Sequence, residues 1–305
     1  MTTGRVTFVG EGMIELRQAE SDDYRLGYGG DTLNSAIHMA RYGHDVAFAS
    51  ALGRDTFSER LRSAWEEEGL DCSTILIDPA RGAGLYAISL DAAGERSFTY
   101  WRSDSAARQL FALSGTVDLL ERMKRSEMLA FSLISLAILP DDGKKALLSL
   151  AAQRRDSGLK VAFDANYRPN LWENAQIAAH WRDQAIAVAT HGLPTLEDEK
   201  LIGGPIDAQS VAAHWQGLGC TEVVVKLGSR GCLLPGCEIL APEAVLNPVD
   251  TSGAGDAFNA GYLSARLKGA DPHEAARRGN ALAAWVIMRA GAIPPLDTAA
   301  PYSRA

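Results

Sequence analysis

Residues 250–261 read DTSGAGDAFNAG, and this stretch constrains both the fold and the chemistry of the chain. Three small residues, Gly253, Ala254 and Gly255, leave the main chain bare just before the carboxylate of Asp256. The unpaired N–H groups and the dipole at a helix start attract phosphate, which a carboxylate there would repel. We therefore interpret Asp256 as the acceptor of a proton from a hydroxyl, beside N–H groups that hold the group being transferred. The apolar residues that predict a helix here are Phe258, Tyr262, Leu263 and Leu267.

The bulk composition is that of a soluble globular protein. The chain has 305 residues, 47% hydrophobic and 22% charged, which is enough for a large core. This length fits one large α/β domain with an appendage, or two domains. The net charge of −8 argues against binding to nucleic acid or to an anionic membrane. A local basic pocket for an anionic substrate is compatible with this charge.

The N-terminal sequence and the cysteines favour a cytoplasmic protein. The first residues, MTTGRVTFVGEGM, lack the apolar core of a signal peptide. No run of about 18 apolar residues predicts a membrane span. The four cysteines follow no zinc spacing and are expected to be reduced; they are Cys72, Cys220, Cys232 and Cys237.

Strand and helix patterns alternate along most of the chain. The predicted strands are residues 5–10, 45–51, 127–133, 159–164 and 221–227. The predicted helices between them include residues 32–42, 56–68 and 141–157. This alternation predicts a parallel sheet with helices on both faces.

One segment departs from this rhythm. Residues 83–90 and 96–102 alternate at period two around residues 91–95, which predicts a β-hairpin. Tyr86 lies on one strand of this hairpin, and Tyr100 and Arg102 share one face of the other strand. The two aromatic rings and the guanidinium would form the underside of a lid over a ligand. A meander packed on the core, with Arg102 at the surface, is the alternative. Further strands of this small sheet are predicted at residues 11–16 and 24–28.

The run at residues 250–263 resembles the C-terminal signature of the ribokinase-like (PfkB) family of sugar kinases along its full length. The sequence GGDTLNSA at residues 29–36 resembles the first signature of that family, with Thr32 in place of the usual small residue. Within the family, the 2-keto-3-deoxygluconate kinases are the most similar group. The segments that carry this similarity are GEGMIEL at 10–16, GLY at 84–86, YWR at 100–102 and DANYRPNLW at 164–172.

The resemblance implies a ribokinase-like three-layer α/β/α fold with a mostly parallel central sheet and a small β-sheet lid. Residues 1–305 would form a single kinase domain, and the lid would be built from approximately residues 11–30 and 83–103. The implied activity is ATP-dependent phosphorylation of the 6-hydroxyl of 2-keto-3-deoxygluconate, an acidic keto-sugar. Asp256 would be the general base, and the N–H groups of Gly253–Gly255 the anion hole.

The sequence leaves two alternative functions open. A fructokinase or another sugar kinase of the same fold is one alternative, and a catalytically silent sugar-binding regulator is another. No G-x-G-x-x-G follows the first strand and no G-x-x-x-x-G-K-[ST] occurs, which disfavours nicotinamide oxidoreductases and P-loop NTPases. The lid sheet, with Trp101, is expected to form a homo-oligomer contact.

The predicted sugar contacts come from both halves of the chain. An arginine can pair with both oxygens of a carboxylate, so Arg102 favours an acidic sugar over a neutral hexose. For the first signature the alternative is a tight turn that caps a helix, and for Arg168 it is a pairing with a surface acid. The implied substrate residues are Gly30, Asp31, Asn34, Tyr86, Tyr100, Arg102, Arg168 and Asp256.

The nucleotide and metal residues are implied by the resemblance alone. Many family members carry an Asn-x-x-Glu motif that organises water around Mg²⁺. Here Thr195 replaces the Asn, and Asp198 most nearly takes the place of the acid; Glu197, Glu199 or a merely solvated helix start are the alternatives. Dependence on a monovalent cation stays open. For residues 226–231 the alternative is a plain hairpin turn, and for Asn280 it is a polar helix position without a ligand. The implied ATP contacts are Asn166, Arg168, Lys226, Gly228, Ser229, Gly231, Gly253, Gly255 and Asn280.

Overall fold

The computed structural model describes residues 4–18, 23–90, 96–244 and 246–302 of the chain. Its strands are β1 Val6–Val9, β2 Met13–Gln18, β3 Tyr24–Gly29, β4 Val46–Leu52, β5 Leu70–Asp71, β6 Ile75–Ile77, β7 Leu85–Leu90, β8 Arg96–Trp101, β9 Met128–Ser132, β10 Lys160–Asp164, β11 His191–Gly192, β12 Glu222–Val223, β13 Val225–Lys226, β14 Cys232–Leu233 and β15 Ile239–Leu240.

The α-helices are α1 Asp31–Arg41, α2 Thr56–Glu67, α3 Thr116–Lys124, α4 Leu133–Ile138, α5 Asp141–Asp156, α6 Ala175–Val188, α7 Leu196–Leu201, α8 Ala208–Gly217, α9 Ala254–Leu267 and α10 Pro272–Ile287. Short 3-10 helices lie at Cys72–Thr74, Ala106–Gln109, Pro169–Leu171 and Gly228–Arg230. In the described part of the chain, none of these helices combines the length and apolar character that a bilayer crossing requires.

The central sheet is parallel. Within the described ranges it has eight strands in the order β12-β11-β10-β9-β1-β4-β5, with β6 also pairing with β4. All of these pairings are parallel. In the middle of the sheet, Val6 of β1 lies between Val46 of β4 and Met128 of β9. The predicted parallel sheet is confirmed. The helices predicted at residues 32–42, 56–68 and 141–157 correspond to α1, α2 and α5 and are also confirmed.

Helices cover both faces of this sheet because successive strand residues point to opposite sides. In β9, Leu129 and Phe131 join one buried apolar cluster, whereas Met128 and Ala130 join the other. The first cluster takes in residues of α3, α4, α5, α6 and α8, and the second takes in residues of α1, α2, α9 and α10. The result is a three-layer α/β/α arrangement.

The prediction of one continuous strand at residues 221–227 was wrong. β12 belongs to the central sheet, but β13 pairs antiparallel with β14 in a separate small sheet that also contains β15. The chain reverses between β13 and β14 through Gly228 and Gly231, whose φ values are 61° and 87°. Glycine adopts this left-handed region without a side-chain clash, so the chain can turn back after β13 and pair with it through β14.

A four-stranded sheet stands apart from the three layers. Within the described ranges its order is β3-β2-β7-β8. β2 pairs antiparallel with β3 and parallel with β7, and β7 pairs antiparallel with β8. The predicted hairpin strands and the two added strands are thus confirmed, while the connection at residues 91–95 lies outside the described residues. Tyr86 is directly opposite Tyr100, so both rings share one face, as predicted.

Two glycines allow α9 and α10 to pack closely. A Cβ at Gly261 would lie 2.7 Å from the carbonyl oxygen of Arg278, and one at Gly279 would lie 2.9 Å from Cδ2 of Phe258. Distances this short would force the two backbones apart, since the interior is already close-packed. The two glycines therefore set how closely α9 and α10 approach each other.

We expect Gly261→Ala to lower the free energy of unfolding by about 1–3 kcal/mol, because the added methyl meets backbone atoms of α10. Gly217→Ala is the matched control, since a Cβ on this exposed residue at the end of α8 would meet no atom within 4 Å. That control should be neutral or slightly stabilising. Urea unfolding curves measure both changes, and equal stability of the two variants would contradict the close contact.

Candidate active site

Polar side chains from three distant segments of the chain meet at the carboxyl edge of the central sheet. Asp164 ends β10, Asp31 opens α1, and Asp256 lies in the first turn of α9. Open α/β sheets bind ligands at this edge, because loops and helix N-termini converge there. A cavity lies at this edge of the sheet. Its polar lining side chains are Asp31, Thr32, Ser35, Ser132, Asp164, Asp256 and Asn259.

Asp256 is held by α1. Nδ2 of Asn34 donates to Oδ2 of Asp256 at 2.8 Å, and Oγ of Ser35 donates to the main-chain oxygen of Asp256 at 3.1 Å. Nδ2 of Asn166 donates to Oδ2 of Asp31 at 2.9 Å, which links β10's end to the same helix start. Burial, and then the nearby charge of Asp31, raise the pKa of Asp256 to about 8. A carboxylate with such a pKa is a competent proton acceptor near neutral pH.

The start of α9 has the bare geometry that the sequence predicted. Gly253 caps the helix with φ of 73° and contributes no side-chain hydrogen bond to it. A Cβ at Gly253 would lie 2.4 Å from Cβ of Ala292, so close approach as well as backbone conformation demands glycine. Within the turn, the N–H of Ala254 donates to the carbonyl of Thr251 at 3.3 Å. No cap side chain therefore competes with an anion at this helix start.

A buried ring of side chains lies next to this turn. Nζ of Lys226 contacts both carboxylate oxygens of Asp164 at 3.1 Å and Oδ1 of Asn259 at 3.0 Å. Nδ2 of Asn259 closes the ring by donating to Oδ2 of Asp164 at 2.6 Å. A Cβ at Gly255 would lie 3.6 Å from Nζ of Lys226, so the ammonium reaches the first turn of α9. Sequence reasoning identified Lys226 but missed Asp164 and Asn259, which come from distant elements.

Of the three candidate metal acids, Asp198 is the one that faces the site. Its Oδ1 lies 3.6 Å from Nη1 of Arg168. Burial, together with the charge of Asp164, raises the pKa of Asp198. Glu199 is buried and already accepts from Arg182 at 2.8 Å and from the indole of Trp215 at 3.0 Å. The side chain of Glu197 is 62% exposed.

The donor chemistry of this region fits a hard cation held indirectly. Asp198 offers carboxylate oxygens, the ligands that Mg²⁺ prefers while it keeps several waters. Both oxygens of Asp164 are already engaged by Lys226. Among residues 4–18, 23–90, 96–244 and 246–302, no three His, Cys, Asp or Glu side chains form a group that could enclose a metal. The arrangement therefore suits contact through water and through the phosphates of a nucleotide.

The aromatic residues predicted for the lid lie on the four-stranded sheet. The rings of Tyr86 and Tyr100 stack with centroids 5.8 Å apart, and the hydroxyl of Tyr86 donates to Oε2 of Glu15 at 2.5 Å. A Cβ at Gly29 would lie 2.3 Å from that hydroxyl, which explains the first glycine of the Gly-Gly pair. At the second, Gly30, a Cβ would lie 2.1 Å from the carbonyl oxygen of Glu11.

Arg102 is buried rather than at the surface, so the surface alternative for it was wrong. Only 9% of its side chain is exposed, and its guanidinium forms an ion pair with Glu11, whose side chain is 1% exposed. The sequence did not indicate this partner. Because Glu11 neutralises the guanidinium, Arg102 presents hydrogen-bond donors without adding a net charge to the site.

Several buried polar atoms near these residues have no hydrogen-bond partner within the described part of the chain. They are Oγ1 of Thr32, Oδ1 of Asn34, Nε of Arg102 and, on α10, Nδ2 of Asn280. Buried polar groups are normally paired, so unpaired ones indicate a ligand or water that completes them. Asn34 and Arg102 are predicted sugar contacts and Asn280 is a predicted nucleotide contact, whereas Thr32 was not among the predicted contacts. Gly228, Ser229 and Gly231 form the 3-10 turn between β13 and β14.

The known proteins that this chain resembles include carbohydrate kinases. The sequence pattern of the pfkB family carbohydrate kinases matches residues 4–299. A 2-dehydro-3-deoxygluconokinase of Dickeya dadantii is 38% identical, over 97% of this chain and 99% of that protein. One of Haemophilus influenzae is 34% identical, over 95% of each.

The fold is also found among solved structures. Aminoimidazole riboside kinase from Salmonella enterica, solved with aminoimidazole riboside and an ATP analogue, superimposes with a TM-score of 0.82 at 25% identity, over 95% of both chains. This likeness confirms the predicted ribokinase-like fold.

Proposed function

We propose that this chain, which belongs to the pfkB family of carbohydrate kinases, transfers the terminal phosphoryl group of ATP to the 6-hydroxyl of 2-keto-3-deoxygluconate. Family membership makes the protein a carbohydrate kinase and implies ATP and a divalent metal. The choice of sugar is supported by relatives 34% and 38% identical over nearly their whole length that are named 2-dehydro-3-deoxygluconokinase. The observation that carries the chemistry is Asp256, a carboxylate with a raised pKa at the bare N-terminus of α9.

Asp256 accepts the proton of the attacking hydroxyl. Asn34 holds one carboxylate oxygen through its 2.8 Å hydrogen bond, and this fixes the direction of the acid. The hydroxyl becomes acidic only as its oxygen bonds to phosphorus, so a base within hydrogen-bond reach suffices. The reaction forms the bond from O6 to phosphorus, breaks the bond from phosphorus to the leaving oxygen of ATP, and leaves the proton on Asp256.

The transferred phosphoryl is stabilised by fixed positive groups. The N–H groups of the Gly253–Gly255 turn would stabilise the charge that spreads over its oxygens, together with the dipole of α9. The N–H of Ala254 would have to exchange its 3.3 Å hydrogen bond to Thr251 for one to the phosphoryl, whereas those of Gly253 and Gly255 are not committed to Thr251. Lys226 adds an ammonium beside the same turn. Phosphoryl transfer asks mainly for positioning and charge stabilisation, which these groups supply without moving.

Mg²⁺ is the divalent metal that we propose. Asp198 would hold it through water, and when bound it would neutralise charge on the nucleotide phosphates. The four cysteines of the sequence, all within the described ranges, form no disulfide. Reduced cysteines and the need for ATP support a cytoplasmic location.

The carboxylate of the sugar is proposed to bind Arg102 with help from Arg168. Nε of Arg102 is buried and has no partner within the described residues, so it can donate to an added oxygen. The side chain of Arg168 is 53% exposed and brings a charge that is only loosely paired with Asp198 at 3.6 Å. The rings of Tyr86 and Tyr100 would cover the sugar and exclude water, which otherwise competes for the phosphoryl.

A coupled assay for ADP tests the substrate. We expect kcat/KM for 2-keto-3-deoxygluconate to exceed that for gluconate and fructose by at least about 100-fold, because hydrogen-bonding sites reject ligands that leave their groups unpaired. The galactonate epimer of the substrate measures how strictly C4 is read. A preference for fructose would favour a fructokinase, and no sugar-dependent ADP release would favour a silent regulator.

The same sugars test the arginines. Replacing Arg102 alone would strand the buried Glu11 charge, so the informative variant is Glu11→Gln with Arg102→Ala. It should lower kcat/KM for the sugar acid by about 10- to 100-fold, the value of hydrogen bonds to a charged group, while Glu11→Gln alone changes it less. Arg168→Ala should act in the same direction. Equal losses for acidic and neutral sugars would contradict the assignment of Arg102.

Asp256→Asn tests the base. The amide keeps the shape and still accepts from Asn34, so KM for the sugar should change little, whereas kcat should fall by at least about 100-fold. In the wild type the protonated acid cannot act, and because the pKa of Asp256 is raised to about 8, kcat/KM should rise with pH across the neutral range. The residual activity of the variant should lack this rise. A variant with near-normal kcat would exclude Asp256 as the base.

The four-stranded sheet is proposed to join copies of the chain into a homo-oligomer. β8 is an edge strand on which Phe98, Tyr100 and Trp101 are 45%, 50% and 57% exposed. Adjacent exposed aromatic residues on a strand edge favour a partner surface. Light scattering should find an oligomer for the wild type and a smaller species for Trp101→Glu, and a monomeric wild type would contradict the proposal.

A further inference from the structure

We propose that Arg17 is a positioning residue that couples sugar binding to the phosphate-holding turn at the start of α9. This inference rests on the proposed kinase function, because it assumes a sugar under Tyr86 and a phosphoryl group at the turn. Arg17 lies on β2 of the four-stranded sheet, outside the motifs that pointed to the site.

On the sugar side, Arg17 holds the partner of Tyr86. Its Nε and Nη2 both lie 3.1 Å from Oε1 of Glu15. Oε2 of the same carboxylate accepts from the hydroxyl of Tyr86 at 2.5 Å. The Tyr86 ring stacks on Tyr100, so a ligand that orders these rings also fixes Glu15 and, through it, the guanidinium.

On the phosphate side, Arg17 reaches the first residue of the DTSGAGD run. Its Nη1 lies 3.4 Å from Oδ2 of Asp250, whose side chain is completely buried. Oδ1 of Asp250 accepts from the N–H of Ser252 at 2.9 Å, and Oδ2 accepts from the N–H of Gly291 at 2.8 Å. Ser252 immediately precedes Gly253, the cap of α9. The orientation of Asp250 therefore bears directly on the turn.

The physical coupling comes from one cation that serves two carboxylates. The side chains of Arg17, Glu15 and Asp250 are 26%, 14% and 0% exposed, so their interactions are screened less than those of surface ions. The planar guanidinium has separate edges that can face Glu15 and Asp250 together, which a lysine ammonium cannot reproduce. A shift of either carboxylate changes the position that the guanidinium can take toward the other.

This link predicts that the two substrates assist each other. Sugar that orders Tyr86 and Glu15 would hold Arg17 against Asp250 and keep the turn in its phosphate-binding form. Nucleotide at the turn would favour the same arrangement from the other end, because coupling between two binding sites is reciprocal. The expected signature is tighter nucleotide binding when the sugar is present.

Calorimetry on the full chain measures this directly. The dissociation constant of a non-hydrolysable ATP analogue with Mg²⁺ is determined with and without saturating 2-keto-3-deoxygluconate. We expect the sugar to tighten analogue binding in the wild type, and Arg17→Ala to reduce that ratio by about 5-fold or more. Arg17→Lys should retain part of the ratio. The affinity for sugar alone should change much less than the ratio, which a merely destabilised fold would not produce.

Arg62→Ala is the matched control. It removes the same charge and one ion pair, that with Glu66 on the surface of α2, and should leave the ratio unchanged. Glu15→Gln provides a second variant if Arg17→Ala fails to fold, because it weakens the same link from the sugar side and should also lower the ratio.

The outcomes separate the coupling from the identity of the sugar. If the wild type turns over a different sugar, the proposed substrate fails, and the same titrations are made with that sugar. The coupling is overturned if the wild type binds sugar and analogue independently, or if Arg17→Ala and Glu15→Gln both keep the wild-type ratio.

Discussion

The hydrogen bond from Asn34 to Asp256 is the interaction on which the site depends. It joins residues 222 positions apart at 2.8 Å and brings the N-termini of α1 and α9 together over the carboxyl edge of the parallel sheet. Glycines just before each helix allow close packing against other segments, at Gly30 beside Glu11 and at Gly253 beside Ala292. The residues that we propose for sugar binding and for phosphate binding are thereby placed next to each other.

Several carboxylates lie close together at this edge of the sheet, and they differ in whether a cation neutralises them. Asp164 is neutralised by Lys226 and also accepts a hydrogen bond from Asn259. Asp256 accepts a hydrogen bond from the amide of Asn34 and lies near the charge of Asp31. A buried carboxylate without a cation has a raised pKa, and that suits a base that must hold a proton during turnover. The ammonium of Lys226 lies beside the turn that we propose to hold phosphate.

The four-stranded sheet connects to this centre through side chains as well as through the chain itself. Glu15 and Arg17 project from β2 toward Tyr86 in one direction and Asp250 in the other. Glu11, just after β1, neutralises Arg102 at the end of β8. An acidic residue of the N-terminal segment thus sets the position of each arginine, which makes the sheet more than a hydrophobic cover.

The sequence by itself determined the alternation of strands and helices, the separate hairpin and the bare helix start before Asp256, because these follow from local periodicity and from glycine. It predicted one strand at 221–227, whereas the structure divides this run into β12 and β13, which belong to different sheets. It also left open which of Glu197, Asp198 and Glu199 faces the site. Only the tertiary structure decided that Glu199 pairs with Arg182, that Arg102 pairs with Glu11, and that Arg17 reaches Asp250. Such pairings join distant parts of the chain, and a charged residue carries no local signal of the partner that burial will bring to it.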